Sequence, residues 1–485
     1  MINWKQDFRL LSKILIILGL FMGIPTILAF SYGETKALLG FLYALAILTT
    51  FCLFILFFTR NNGYPTLSSR DGYLFVTATW VIATAFSAIP LIASGAYVDY
   101  PSAYFEIMSG FTTTGATVLP EIESLPKSIL FWRSETNWLG GMGIVVLFVA
   151  LLPALGVSGT RLVGAESVGP TKDKLTPKIK TTASILWTIY VLFSLLETLL
   201  LKMGGLSLYD AVTVTFSTMA AAGFCVKNAS IGTFQSAYID IVVTVFMMIA
   251  GANFALYYKA ISGHLRSVWK DGELRAYLGI WGVFSLISAL SLTLNHTYEG
   301  FWQSLRFSAF QNASVLTTTG FATANYINWP ALTQMLLLLL FFVGGCAGSA
   351  GGGIKVIRVI TLLKMGHSNI KQRIHPKGIF PVRVGQNTMK NDILLSIATF
   401  VGVYITTGLL GAVLISVSGA DLLTSFASSF LCLGNIGIGF GQVGPTGNFA
   451  FYPSWIKWVC SFLMLAGRLE LFTVFTLFSR DFWKR

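Results

Sequence analysis

Apolar residues run along this chain in long blocks with almost no charge inside them, separated by short polar connections. Ten blocks reach the roughly 20 residues that a helix needs to cross an apolar layer about 30 Å thick. They lie near 11–30, 36–58, 72–97, 134–155, 182–203, 233–260, 277–295, 330–362, 393–417 and 452–479. Between some of them sit four shorter apolar stretches, near 101–113, 207–221, 302–317 and 421–434. About 13 residues cannot span the layer, so each reads as a re-entrant segment that dips in and returns on the same side. The pattern predicts an all-α polytopic membrane protein.

Composition agrees. Of 485 residues, 54% are hydrophobic and 11% charged, against about 25% charged in a soluble domain. Mean hydropathy is +0.72. A soluble enzyme, a disordered chain and a small disulfide scaffold are excluded. The five cysteines (Cys52, Cys225, Cys346, Cys432 and Cys460) fall in or near apolar segments without a CxxC and read as small core residues. Lys5, Arg9 and Lys13 precede apolar Ile14–Phe30 in the manner of a signal peptide. No convincing small-residue cleavage site follows, so an uncleaved first helix is expected.

A net charge of +13 could suggest nucleic acid. In a membrane chain it reads first as Lys/Arg bias toward the cytoplasm, and no nucleic-acid partner is expected. With the N-terminus inside and each full block crossing once, most of the 33 Lys and Arg fall on the cytoplasmic side. Lys36, Lys127, Arg133, Lys202, Lys227, Arg306 and Lys457 fall outside, and Arg468 is left within a span. Both termini are therefore expected in the cytoplasm.

Each re-entrant stretch ends in small residues and a glycine: Thr112-Thr113-Thr114-Gly115, Ala220-Ala221-Ala222-Gly223, Thr317-Thr318-Thr319-Gly320 and Gly434-Asn435-Ile436-Gly437. The chain thus holds four copies of span, half-helix, loop and span, each roughly 100 residues. Every copy starts and ends on one side, so the copies are parallel repeats about an axis along the membrane normal. The expected organisation is two N-terminal helices (1–70), then repeats at 71–160, 161–265 with a basic linker, 266–370 with a Gly-rich loop, and 371–485.

Four half-helices around one axis would surround a narrow column with four loops. Irregular backbone at membrane depth survives only where protein buries it or water lines it. These loops carry no carboxylate and no histidine; they offer carbonyl oxygen. Half-helix C-termini add partial negative charge, and glycine allows backbone angles that a Cβ opposes. A monovalent cation fits, by the chemistry of carbonyl rings that replace a hydration shell. One such loop could be an ordinary small-residue packing patch; four at matched positions argue against that.

The motifs FTTTGAT (111–117), AAAGF (220–224), TTTGFA (317–322) and NIGIGFG (435–441) resemble the Trk/Ktr/HKT potassium-transporter superfamily across 72–479, most closely the bacterial Trk-type membrane subunits (TrkH). The two extra N-terminal helices fit that branch. The resemblance implies one K⁺ filter built from the four loops. Family members with Ser at the first filter glycine tend to pass Na⁺, so Gly115 implies K⁺ preference. The fourth loop departs from the TTxG pattern. The resemblance also implies a bacterial inner-membrane location, a homodimer, and a ring of cytoplasmic nucleotide-binding regulatory subunits (TrkA-type). No cofactor is expected beyond K⁺ as the transported ion.

Two features fall below the expected filter. Gly344 to Gly353 carry six glycines in ten residues, which argues for a loop within the block 330–362. Gly345, Cys346, Ala347, Gly348, Ser349, Ala350 and Gly351 are its candidate gate residues, against the alternative of a static close-packing kink. The resemblance supports a gate, because Trk-type subunits carry an intramembrane loop here. Arg468 is an intramembrane charge, costly and by default functional. It either faces the pore and bonds carbonyls of the Gly-rich loop, as the resemblance favours, or pairs with a carboxylate such as Glu197 or Asp240. Gly437-x-Gly439-x-Gly441 follows no strand, and no HExxH or nucleophile–base set occurs, so an enzyme is not expected. The loops lack the ionisable groups that ion coupling usually needs. That favours passive flow, with an H⁺- or Na⁺-coupled symporter on the same fold as the alternative. The basic stretches near 161–180 and 364–390 would meet anionic lipid or dock the cytoplasmic partner.

Overall fold

The computed structural model describes residues 4–59, 68–143, 179–385 and 387–484. The second half of the expected span 134–155, the basic linker 161–178 and the boundary at 160/161 lie outside the described residues.

Helices α1 (Trp4–Ser31) and α2 (Thr35–Phe58) form an antiparallel pair. A first repeat follows: α3 (Ser69–Ser87), α4 (Ile89–Ala93), re-entrant α5 (Tyr100–Phe111) and α6 (Lys127–Gly141). The second contains α7 (Ile179–Met203), re-entrant α8 (Leu208–Met219), α9 (Ala237–Ala250) and α10 (Phe254–Ile261). The third contains α11 (Gly272–Leu294), re-entrant α12 (Phe301–Leu316), α13 (Ala331–Leu340) and α14 (Val356–Ile374). The fourth contains α15 (Asn391–Ser416), re-entrant α16 (Leu422–Gly434) and α17 (Ser454–Arg468). A two-stranded hairpin, β1 (Arg383–Val384) with β2 (Asn387–Thr388), joins the third repeat to the fourth. The all-helical expectation did not include it.

The four re-entrant helices fall within a residue or two of the stretches expected. Six helices among the described residues are long and apolar enough to cross a membrane unbroken. The last helices of the second and fourth repeats depart from the expectation of an uninterrupted span. The block 233–260 is α9 and α10 bent by 94° at Gly251–Asn253, and 452–479 is bent by 111° after α17. The block 330–362 is cut between Leu340 and Val356, where the Gly-rich loop was expected. The helix expected from 134 begins at Lys127, because Glu34 from the α1–α2 turn accepts the free amides of Lys127 (2.7 Å) and Ser128 (3.1 Å). An anionic side chain there satisfies donors that a helix start leaves open.

Each repeat is joined to the re-entrant helix of the next, by helix packing in three cases and by an aromatic ring contact in the third repeat. Helix α6 lies on α8, with Asn137 Nδ2 donating to Ser217 Oγ at 3.0 Å. Helix α9 lies on α12, where Asp240 and Arg306 are 3.4 Å apart. Past α13, Phe342 meets Phe430 of α16 with ring centroids 5.1 Å apart. Helix α17 returns to α5, where Lys457 Nζ donates to Ser102 Oγ at 2.8 Å. Four links therefore form a ring. Both termini lie at one end of the bundle: the Trp4 and Trp483 rings stack at 6.3 Å, and Arg70 donates to the Lys484 carbonyl.

Candidate functional site

The re-entrant helices all end alike. Thr113, Ala221, Thr318 and Asn435 are left-handed, with φ of 54°, 53°, 61° and 52°. In each loop that residue's N–H bonds the carbonyl three back, and the next N–H bonds the carbonyl five back. This is the Schellman geometry that closes a helix C-terminus. It normally uses glycine at the left-handed position; here two Thr, one Ala and one Asn take it. A β-branched residue there is an outlier and persists only where its surroundings hold it. The fourth loop, whose sequence departs from TTxG, falls into register with the rest. Asn435 matches Thr113, and Gly437 matches Gly115, Gly223 and Gly320.

Those four glycines meet. A Cβ on Gly115 would strike the backbone nitrogen of Gly223 and lie 2.6 Å from its Cα. One on Gly223 would be 2.9 Å from the carbonyl oxygens of Thr319 and Gly320. One on Gly320 would strike the Ile436 carbonyl oxygen, and one on Gly437 would lie 2.5 Å from that of Thr114. Loop one touches two, two touches three, three touches four, and four touches one. The structure thus brings together every expected loop residue: Thr112–Gly115, Ala220–Gly223, Thr317–Gly320 and Gly434–Gly437. No side chain fits between neighbouring glycines.

The support behind the ring differs from copy to copy. In loops one and three, the Thr112 and Thr114 hydroxyls bond at 2.9 Å and those of Thr317 and Thr319 at 2.7 Å. In loop four, Asn435 Nδ2 donates to Thr114 Oγ1 (2.9 Å) and to the Met464 carbonyl (3.0 Å), which ties the last loop to the first. Glu106 of α5 and Arg133 of α6, both fully buried, pair at 2.6 Å. The same carboxylate accepts from Thr117 Oγ1 (2.8 Å) and Val118 N (2.9 Å), which pins the limb rising from Gly115. The Arg133 guanidinium lies 4.3 Å from the centre of the Phe224 ring in loop two. Arg133 and Lys457, both counted on the outer side, are buried side chains that join elements. At the expected outer mouth, the Asn228 amide and then Lys227 hold the Glu123 carboxyl below its usual range.

The Gly-rich segment is a loop, as expected, and it packs directly against the ring. A Cβ on Gly351 would lie 2.6 Å from the Thr317 carbonyl oxygen, and one on Gly352 would strike that of Gly434. Gly352 N donates to Thr318 Oγ1 at 2.6 Å. The other side of the loop fills the break in the neighbouring repeat. Cys346 N donates to Gly251 O (2.8 Å), Ala350 N to Ala250 O (3.1 Å) and Phe254 N to Gly348 O (3.1 Å). Gly348 also sits against the Asn253 side chain, and Ser349 Oγ bonds the Cys346 carbonyl at 2.6 Å. Lys355, buried and left-handed at φ 83°, donates to the Gly351 carbonyl.

Arg468 reaches from the end of α17 across this space. Nη1 donates to Ala350 O (2.8 Å) and Thr113 Oγ1 (3.0 Å); Nη2 donates to Gly140 O (2.5 Å) and Gly141 O (3.1 Å). It therefore joins the Gly-rich loop, the first ring loop and the end of α6. Of the carboxylates weighed as partners, Asp240 pairs with Arg306. Glu470, two residues on, turns away to pair with Arg358 at 2.8 Å. Among the described residues no group of His, Cys, Asp and Glu could hold a metal ion.

Apolar crossing helices gathered around one ring of main-chain loops define a multi-pass membrane transport protein. A profile of the TrkH family, described as "Cation transport protein", matches residues 40–485, and the chain belongs to that family. It is 38% identical to the Trk system potassium uptake protein TrkH of Salmonella typhimurium over 99% of this chain and 100% of that one. It is 35% identical to the TrkG protein of the same system in Escherichia coli, over 95% and 94% of the two chains. The crystal structure of the potassium transporter TrkH from Vibrio parahaemolyticus is similar over 100% of both chains, with a TM-score of 0.88 and 33% identity. The chain is thus a transporter and not an enzyme.

Proposed function

We propose that this chain is the K⁺-conducting membrane subunit of a bacterial potassium uptake system, and that the ring is its selectivity filter. The observation that carries the reading is the closed circuit of Gly115, Gly223, Gly320 and Gly437. A ring held together by main-chain contacts presents carbonyls at near-fixed spacing, so a bare K⁺ can exchange its hydration shell for them. The relatives named as potassium uptake proteins supply the ion.

On this reading each repeat is one quarter of the pore: 71–160, 161–265, 266–370 and 371–485, with 1–70 outside it. The Gly-rich loop and Arg468 are the gate. The guanidinium repels cations while the loop blocks the path from below. The ring holds no ionisable side chain, and the nearby Glu106 is already neutralised by Arg133. This favours passive flow over H⁺ or Na⁺ coupling. The protein sits in the inner membrane with both termini in the cytoplasm. It acts as a homodimer, with a cytoplasmic nucleotide-binding ring as regulator.

The test is flux through the purified chain in proteoliposomes. The expected result is current that reverses at the K⁺ equilibrium potential and ignores pH. A reversal that follows the proton gradient would replace the channel with a symporter. Deleting 346–350 is expected to open the closed state; unchanged resting leak would remove the gate.

A further inference from the structure

We infer that Glu273 is the pin that holds the Gly-rich loop shut, a positioning residue that nothing in the loop itself announces. The inference rests on the gate reading above. Glu273 stands in the first turn of α11, the helix that opens the third repeat. Its Oε1 accepts from Ala347 N at 2.8 Å and from Ile357 N at 3.1 Å. Ala347 lies in the loop's first limb and Ile357 follows its end. One carboxylate oxygen thus draws the two limbs together and closes everything between them.

The physics of a pinned loop explains why this matters. A flexible segment held at both ends has lost most of its closure entropy in advance, and its Gly-rich stretch is the part with the most freedom to regain. Beside Glu273, Val356 N donates to the Gly345 carbonyl at 3.0 Å and joins the same limbs main chain to main chain; the remaining anchors act elsewhere. Cys346, Gly348 and Ala350 bond main-chain atoms of the α9–α10 break, Gly352 bonds Thr318, and Arg468 holds Ala350. Those contacts seat the loop on its neighbours. Glu273 alone among these side chains bonds both limbs. Both amides converge on the same carboxyl oxygen, so releasing this one oxygen frees two amides together. Helix α11 itself packs on α12 and α13 and need not move. It is a fixed post against which the loop swings.

The test compares three variants in proteoliposomes by resting ⁸⁶Rb⁺ leak, with thermal melting of each. Glu273→Ala removes the acceptor and is expected to raise resting leak by about tenfold or more, with maximal open flux unchanged. Glu273→Gln keeps an oxygen able to accept both amides and is expected to leak less than a third as much as the Ala variant. A charge effect would instead make Gln behave like Ala, which overturns the pin. Deletion of 346–350 is the reference. If the deletion leaks and Glu273→Ala stays tight while melting normally, the pin is wrong and the gate stands. If the deletion itself stays tight, the gate reading fails and the pin goes with it.

Discussion

The ring and the Gly-rich loop sit in contact, are both built of glycine and carbonyls, and are held in opposite ways. The ring is held four times over. Each quarter has its own re-entrant helix with the same left-handed end, and each glycine is blocked from moving by the next loop. The Gly-rich loop exists once, in the third repeat. Its hold comes from a few bonds to four different neighbours: the α9–α10 break, Thr318 of the ring, Glu273 and Arg468. Redundant contacts make a part rigid, because no single loss frees it. Few and separate contacts make a part that can let go. Fourfold structure near one axis thus supplies the part that must keep its shape, and the departure from fourfold structure supplies the part that can move.

The comparison breaks most severely at the ring. Gly437→Ala places a Cβ 2.5 Å from the Thr114 carbonyl oxygen, at a residue with φ of 89°. Left-handed backbone with a Cβ costs about 1–2 kcal/mol and overpacking about 1–3 kcal/mol more. K⁺ flux is expected to fall roughly a hundredfold in proteoliposomes. Gly223→Ala separates the two causes, because Gly223 is not left-handed and only its approach to Thr319 and Gly320 is tight. Its loss should be clearly smaller. Equal losses in the two variants would mean that crowding alone sets the ring.

Arg468→Ala tests the other side. Among the described residues the guanidinium donates hydrogen bonds that bind loop, ring and α6. A bond from a charged donor contributes about 1.5–3 kcal/mol, so resting flux should rise by more than about tenfold. Selectivity should stay put, since the ring keeps its own supports. A variant that loses K⁺ over Na⁺ discrimination would show that ring and gate are one mechanical unit. Next comes the brace behind the first loop. Glu106→Ala strands Arg133 as an uncompensated buried charge, at about 3–5 kcal/mol of stability. Glu106→Leu with Arg133→Met should recover most of that loss in thermal melting, because removing both charges removes the desolvation penalty as well.

These cases also show what could be read from residues alone. The re-entrant helices and their glycines were legible because the motif repeats four times at near-equal spacing. The Gly-rich break was legible because helix cannot run through six glycines in ten residues. The breaks at Gly251–Asn253 and after Arg468 were not, since each stretch is apolar and carries at most one glycine. Glu106 and Arg133 stand 27 residues apart on separate elements, and nothing in the sequence pairs them. Glu273 reads as an ordinary acid in a helix first turn. Only the fold shows that the Gly-rich loop returns to it, 74 and 84 residues further along the chain.

The smallest effect sharpens the comparison most. Ala221 and Thr318 hold the same left-handed position in neighbouring loops. Ala221 has no side-chain polar atom to use there, so its Cβ brings strain and little else. Glycine relieves about 1–2 kcal/mol of that strain and returns up to about 1 kcal/mol to the unfolded chain. Ala221→Gly is therefore expected to stabilise slightly, by less than about 1 kcal/mol in thermal melting. Thr318→Gly relieves the same strain, yet removes the hydroxyl that accepts from Gly352 N at 2.6 Å. It should raise resting leak while Ala221→Gly leaves leak unchanged. If both variants leak alike, the left-handed turns themselves seal the path, and the separation of a rigid ring from a movable loop is wrong. If only Thr318→Gly leaks, one hydroxyl marks where the fourfold part ends and the single-copy part begins.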